Sequence, residues 1–340
     1  MQNGVTFWTE GGSAIGMGHI VRCINIAKSL RSFNIPFHFL VNKDSAVLQR
    51  LESSGINHIV YPIDRTNGAK LTNDIVVIDT KKDVSKHVSL LKKAGKTVIL
   101  IDNTTAQAEA DGVVMPSAFY NGPVENENFN TGSQYLIIGE NFRRHKKANN
   151  HLRYSLPLKV LVTMGGADPN NITEDVVNAL KGVADIDVTV VLGPAMKPST
   201  KLRNFIDRGS VKFEFLTGVT DMAPVIASSH IAFTAVGTTV YELAYMGIPS
   251  VLISNYEQDA SDLKELEKLG ISLSLGFHKE VKKEDIIASV ERFKQSRFLW
   301  ESMSHRAQNL TDGNGAIRIA SLLESMIMDS SANQIHAVNI

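Results

Sequence analysis

Runs of apolar, β-branched and aromatic residues recur along this chain, and between them the apolar positions space out to every third or fourth residue. VTFWTE (5–10), FHFLV (37–41), HIVYPI (58–63), DIVVID (74–79) and TVILID (97–102) predict strands, with shorter ones near 113–115 and 135–138. The spacing between them predicts helices over about 19–32, 45–54 and 83–94. Strands that are apolar along their whole length, with helices between them, are buried on both faces. That pattern predicts a parallel sheet covered by helices.

The alternation stops at GENFRRHKKANNHLRYSLP (139–157), which has no period, a basic run, paired asparagines and a proline. Such a stretch reads as a linker. The pattern restarts with KVLVTM (159–164) and continues through DVTVVL (187–192), VKFEFL (211–216), HIAFTA (230–235), PSVLIS (249–254) and ISLSL (271–275). Three helical stretches follow, near 282–294, 297–309 and 315–328. At 340 residues the chain is long for a single core. The expected organisation is α/β, with Rossmann-like domains over 1–145 and 158–330, a linker over 146–157 and a tail over 331–340. Each domain opens with a strand that runs into a glycine pair, Gly11-Gly12 and Gly165-Gly166. Two such parallel-sheet domains facing a cleft would set both loops at the carboxyl ends of their strands, where open α/β sheets bind ligands.

Charge and composition narrow the partners. The 35 basic and 35 acidic residues cancel, which gives no footprint for nucleic acid. Cys23 is the single cysteine, so no disulfide forms within the chain and a reducing compartment fits. The start MQNGVTFWTE lacks a signal-peptide pattern, and the apolar region 230–254 is broken by Glu242 and Pro249. These features predict a cytoplasmic protein without stable membrane insertion. The ten histidines show no metal-ligand spacing, and DID (185–187) reads as a polar turn, so no metal or cofactor is expected. RRHKK (143–147) reads as a solvated linker. No G-x-S-x-G elbow supports serine hydrolysis. Oligomeric state leaves no mark in the sequence.

Three segments carry candidate chemistry. TEGGSAIGMGHIVRC (9–23) packs four glycines and His19 between a strand and a helix. Glycines let backbone approach a ligand and leave N–H groups free at a helix N-terminus, so Gly16 and Gly18 are candidate ligand contacts. His19 in the first helical turn meets the positive end of the dipole, which favours a neutral ring able to accept a proton. The alternative is a spectator ring. Cys23 shares a helix face with Ile20, Ala27 and Leu30 and reads as a small buried residue rather than a nucleophile. TMGGADPNNITED places Asp168, Asn170 and Asn171 after Gly165-Gly166, as helix caps or ligand contacts. In FTAVGTTVYELAYMGIPSVLISNYEQ, Gly237, Thr238 and Thr239 open a helix and offer N–H groups and hydroxyls to a phosphate. Glu242, one turn on, fits a ribose diol or a capping box with Thr239.

Taken together, GGSAIGMGHIVRCINIAKSL, VLVTMGGADPNNIT, TAVGTTVYELAYMGIPSVLISNYEQ and LIIGENFRRHKK resemble the nucleotide-sugar hydrolases of pseudaminic acid biosynthesis and the related spore-coat polysaccharide proteins of the SpsG type. The likeness spans most of residues 5 to 275. It implies a GT-B-like fold, with the nucleotide held mainly by the second domain, and cleavage of a UDP-linked diacetamido-trideoxyhexose to UDP and free sugar without a metal. The G-x-G-H-x-x-R-C stretch implies that His19 acts at the sugar and brings in Arg22 beside it. The G-T-T-x-x-E stretch implies ribose contact by Glu242 and diphosphate contact by Gly237, Thr238 and Thr239. Gln258 of YEQ would point toward the sugar–phosphate region.

The likeness breaks on the sugar side. After the fourth strand the family carries an aspartate, a variable residue and an aromatic; this chain has Asp79 with Lys81 at the aromatic position. The paired aspartates after the next strand become Asp102-Asn103, and D-Q-N becomes MPSAF. The expected function is hydrolysis of a UDP-sugar, with an inverting glycosyltransferase or a non-catalytic nucleotide-sugar-binding protein as alternatives.

Overall fold

The computed structural model describes residues 2–12, 15–63, 71, 73–148, 154–194, 196, 202 and 211–338. The chain divides into two compact units, residues 1–137 with 313–340, and residues 138–312.

The first unit is a parallel sheet of strands β1 (Gln2–Thr9), β2 (Phe37–Val41), β3 (His58–Val60), β4 (Asn73–Asp79), β5 (Thr97–Ile101), β6 (Gly112–Met115) and β7 (Phe129–Thr131), in the order β3-β2-β1-β4-β5-β6-β7. Strand periodicity sends neighbouring residues to opposite faces, so Phe7 and Trp8 enter different cores. Phe7 packs with Ile20 and Ile24 of α1 (Gly18–Leu30), and with Val47 and Leu51 of α2 (Ser45–Ser53). Trp8 and Ile78 pack with Val88 and Leu91 of α3 (Ser85–Lys93). The expected strand near 135–138 is instead a tight 3-10 turn over Ser133–Tyr135, which follows β7.

The second unit repeats the plan with β8 (Leu158–Thr163), β9 (Ile186–Leu192), β10 (Lys212–Thr217), β11 (Ile231–Thr234), β12 (Ser250–Ser254) and β13 (Ser272–Phe277), in the order β10-β9-β8-β11-β12-β13. One face of this sheet packs on α5 (Ile172–Leu180), α9 (Lys283–Gln295) and α10 (Arg297–Gln308) through Val176, Phe293 and Trp300. The other face packs on α4 (Glu140–Ala148), α6 (Ala223–Ala227) and α7 (Thr238–Met246) through Phe142, Ile226 and Leu243. Helix α8 (Ala260–Lys268) adds Leu263 and Leu266.

The expected domain boundaries change in two places. The expected linker begins as helix α4, anchored by buried Ile138 and Phe142 and stitched by Arg144 to Glu140 at 2.6 Å. Its apolar anchors are too few to show as a period. Residues 149–153 of the expected linker lie outside the described residues. At the other end, α11 (Gly315–Val338) runs through most of the expected tail and belongs to the first unit, not the second. Its Ile319, Ala320 and Leu323, all 0% exposed, close the core around α1. Arg318 also donates to the Gln134 carbonyl at 3.0 Å. Among the described residues, no helix is long and apolar enough to cross a membrane.

Candidate functional site

In a doubly wound sheet the ligand crevice opens at the carboxyl ends of the two strands where the winding reverses. In the first unit these are β1 and β4. The segment after β1 is braced from behind. Asn42 accepts from the Gly11 N–H at 3.0 Å and donates to its carbonyl at 2.8 Å, while Gly12 and Gly16 bond each other in both directions. A Cβ on Gly12 would lie 2.3 Å from Asp44, whose carboxylate caps α2. Gly16 takes φ +83°, and a Cβ on Gly16 or Gly18 would meet nothing within 4 Å. Among the described residues, nothing covers these two backbone positions.

The braced loop delivers His19 in the first turn of α1, and Asp79 closes β4 directly across the reversal. His19 Nδ1 lies 2.6 Å from Asp79 Oδ1. Arg22, one turn along α1, donates from Nε to Asp79 Oδ2 at 2.8 Å, and from one terminal nitrogen to Asp79 Oδ1 at 2.6 Å and Asp102 Oδ2 at 3.1 Å. Asp79 is fully buried, and His19 and Arg22 are 7% and 8% exposed. Burial alone would push the Asp79 carboxyl up. The charge and hydrogen bonds of Arg22, with the bond from His19, outweigh burial and hold it well below the usual carboxylate range. Burial likewise opposes the Arg22 charge, but Asp79 and Asp102 overcome it and keep the guanidinium protonated. Cys23 is buried among apolar neighbours and its Sγ sits 3.5 Å from Asp79 Oδ2. Burial and that carboxylate push its thiol up, so it acts as a small neutral donor.

This geometry assigns the histidine tautomer. The same Arg22 nitrogen also lies 2.9 Å from His19 Nδ1, but its two hydrogens are directed at Asp79 and Asp102. A lone pair on Nδ1 would face a carboxylate oxygen at 2.6 Å. Nδ1 therefore carries the hydrogen and donates to Asp79, which leaves the lone pair on Nε2. Nε2 makes no hydrogen bond among the described residues. The result is an oriented base, the arrangement general-base chemistry requires.

Sequence reasoning registered Lys81, Asp102 and Asn103 only as departures from a family pattern; the structure gives each a place. Asp102, just past β5, joins Arg22 to Lys81, whose Nζ lies 2.8 Å from Asp102 Oδ2. Asn103 is 4% exposed and donates both amide hydrogens, to the Thr80 carbonyl at 2.6 Å and the Lys82 carbonyl at 2.8 Å. A carboxylate could not make those bonds. Glu10, at the end of β1 and 3% exposed, was missed altogether; it accepts from the Thr80 hydroxyl and from Lys82 Nζ at 2.8 Å. The signal the sequence offers for it is an acid that ends an apolar strand directly before a glycine pair.

In the second unit the winding reverses between β8 and β11. After β8, Gly165 takes φ +81°, and a Cβ on Gly193, past the end of β9, would lie 2.2 Å from the Gly165 carbonyl oxygen. Gly193 is therefore the glycine that lets backbone approach backbone here, whereas at Gly165 it is the positive φ that favours glycine. Asp168 accepts from the α5 backbone with both oxygens, at Ile172 N (2.9 Å) and Thr173 N (3.0 Å), and so caps that helix. Asn170 donates to the carbonyl and side-chain oxygens of Asn255, both at 3.1 Å, which ties this loop to the segment after β12.

After β11, Gly237 is the N-cap of α7 and, being glycine, brings no side chain to cap that end. Thr238 and Thr239 are thus its first two helical residues, and the capping box of Thr239 with Glu242 does not form. Glu242 sits mid-helix, partly buried, and Gln258 is exposed in a 3-10 turn over Glu257–Asp259. An open depression of about 650 Å³ lies elsewhere, lined by Ser272 at the start of β13 with Glu267, Arg292, Phe298 and Arg306; none of the residues singled out above lines it. Among the described residues, no three His, Cys, Asp or Glu side chains gather to hold a metal.

No protein-family model matches the chain. It is 24% identical to the spore coat polysaccharide biosynthesis protein SpsG of Bacillus subtilis, with 95% of this chain and 98% of SpsG aligned. An uncharacterized protein of Methanocaldococcus jannaschii is 26% identical over 73% of this chain, which spans only 55% of that relative. A Helicobacter pylori protein named as pseudaminic acid cytidylyltransferase and UDP-2,4-diacetamido-2,4,6-trideoxy-beta-L-altropyranose hydrolase is 22% identical over 75% of this chain and 45% of its own length. Among solved structures, MurG of Acinetobacter baumannii superposes with a TM-score of 0.67 at 15% identity, covering 95% of this chain and 99% of MurG. The UDP-GlcNAc 2-epimerase of Neisseria meningitidis, bound to UDP-GlcNAc, gives 0.61 at 12% identity, covering 94% of this chain and 100% of the epimerase. These structures share the fold, which is GT-B-like.

Proposed function

We propose that this chain, a GT-B-like relative of the SpsG type, acts on a UDP-sugar in surface-polysaccharide or nonulosonic-acid biosynthesis, and that it is a hydrolase releasing UDP and the free sugar. The observation that carries the reading is the His19–Asp79–Arg22 group, a buried, oriented base at the winding reversal of the first unit. Asp79 fixes the Nδ1–H tautomer, and Nε2 is left to take a proton from water. The water oxygen then bonds the anomeric carbon as the bond from that carbon to the diphosphate oxygen breaks, and UDP leaves with the electron pair. In the second unit, the N-terminus of α7 at Gly237, Thr238 and Thr239 offers backbone N–H groups and a helix dipole to the diphosphate. Those donors also stabilise the charge that grows on the departing UDP. Glu242, on the same helix, is the candidate ribose acceptor. Gln258 and the Gly165–Gly166 backbone are the remaining second-unit candidates, with Gly16 and Gly18 their counterparts in the first.

The test is UDP release from a panel of UDP-sugars, without an acceptor, by the wild type and His19→Ala. Release that vanishes in the variant while UDP affinity stays within about twofold supports the hydrolase, since a base lost only at the reacting atom leaves ground-state binding intact. Equal loss of turnover and UDP binding removes His19 from the chemistry. Binding without release favours the alternatives, a glycosyltransferase awaiting its acceptor or a non-catalytic nucleotide-sugar-binding protein.

A further inference from the structure

The tripeptide after β4, Thr80–Lys81–Lys82, is clamped from two sides. Glu10 accepts from the Thr80 hydroxyl and from Lys82 Nζ, and Asn103 donates to the Thr80 and Lys82 carbonyls. Asn103 is itself locked, because its Oδ1 accepts from the Thr105 N–H at 2.9 Å and the Thr105 hydroxyl at 2.8 Å. Both clamping side chains are buried. Between the clamped neighbours, Lys81 extends outward with a side chain 68% exposed, and its ammonium makes one ion pair, to Asp102 Oδ2 at 2.8 Å.

That pair has little to do with holding the fold. An exposed lysine–carboxylate contact contributes little to stability, and Asp102 already receives Arg22. What the clamp secures is the position of a donor beside an acceptor. The Lys81 ammonium keeps N–H groups beyond the one directed at Asp102. Asp102 Oδ1 makes no hydrogen bond among the described residues, and its side chain is 22% exposed. Asp102 is linked through Arg22 to the carboxylate that orients His19.

We propose that Lys81 and Asp102 form a hydroxyl-reading pair, selecting a substrate whose sugar ring carries a free hydroxyl at the position they face. A hydroxyl donates to Asp102 Oδ1 and accepts from Lys81 Nζ at once, which uses both halves of the pair. The two charges cancel, so the pair offers no net attraction to a carboxylate or phosphate substituent. This inference rests on the UDP-sugar reading above and deepens it to a substrate class. Lys81 acts here as a specificity-determining residue, and His19 remains the base.

The experiment compares UDP-glucose and UDP-N-acetylglucosamine with their singly deoxygenated analogues, as UDP release and as binding, for wild type, Lys81→Met and Lys81→Arg. Wild type is expected to disfavour one deoxy analogue by about tenfold to a hundredfold, the size of one hydrogen-bonded hydroxyl at a partly exposed site. Lys81→Met is expected to erase that preference while affinity for UDP alone changes less than twofold, and Lys81→Arg to restore part of it. Lys81 is exposed, so the variants are expected to melt with the wild type. Discrimination that survives Lys81→Met, or a wild type that binds UDP yet treats every deoxy analogue alike, overturns the assignment alone. A wild type that binds neither UDP nor any UDP-sugar overturns the reading beneath it.

Discussion

Replacing Asp79 with asparagine removes a fully buried negative charge from the first unit and strands the cation beside it. In the native site Asp79 accepts from Arg22 at 2.8 and 2.6 Å and from His19 at 2.6 Å. An asparagine retains one carbonyl oxygen for those donors, and its amide hydrogens point at other hydrogens. Among the described residues, Asp102, at 3.1 Å, is then the one carboxylate left to Arg22. Breaking a buried pair from one side costs about 3–5 kcal/mol, because the surviving charge stays desolvated. The assay is urea unfolding followed by Trp8 fluorescence in a Trp300→Phe background. The chain has two tryptophans, and Trp8 is the one in the first unit. Arg22→Met added to Asp79→Asn should recover part of the loss, since it removes the stranded cation, so the two changes combine to less than their sum.

The same substitution carries a pH signature. The folded Asp79 carboxyl sits below its unfolded value, so between the two values the unfolded chain binds the extra proton and stability rises with pH. The stabilisation is complete above the unfolded value, near about pH 4, and is lost as pH falls through the folded value. Asp79→Asn should therefore flatten the acid limb of stability against pH. A loss below about 1 kcal/mol, with an acid limb parallel to the wild type, would refute the claim that this ion-pair group holds the site together.

Two further substitutions test the frame around the site. Asn103→Asp should destabilise the first unit by about 1–3 kcal/mol, since the buried Thr80 carbonyl and the Lys82 carbonyl lose their donors and face a carboxylate; a shift of the urea midpoint at constant slope is the readout, and an unchanged midpoint contradicts the clamp. Gly193→Ala places a Cβ 2.2 Å from the Gly165 carbonyl oxygen and 2.5 Å from that of Gly166, so the loop after β8 must shift. About 1–3 kcal/mol of second-unit stability and a measurable part of UDP affinity should go with it, the first by Trp300 fluorescence and the second by calorimetry.

The alternation of apolar strands with helices was sufficient for the parallel sheets, because strands buried on both faces have no polar side and nothing else explains VVID or TVVL so compactly. His19 stood out as a candidate for a similar local reason, a histidine opening a helix after a glycine-rich turn, though a spectator ring fits the same pattern. Local pattern also exposed both readings of Asp168, as cap and as ligand contact, though only the coordinates show its two oxygens on the α5 backbone. Other features depended on residues far apart in the chain. Asp79 meets His19 across a separation of 60 positions, and Asn103 finds its carbonyls 23 and 21 positions back. Helix α11 leaves no sequence mark that it completes the first unit, since its apolar stripe would fit any sheet face of the right shape. Helix α4 hid for the opposite reason, its burial resting on Ile138 and Phe142 with charged residues around them. Sequence period reports how much of an element is buried. Which partner buries it, and which donor a lone carboxylate or amide will meet, is decided only when strand order brings distant ends together.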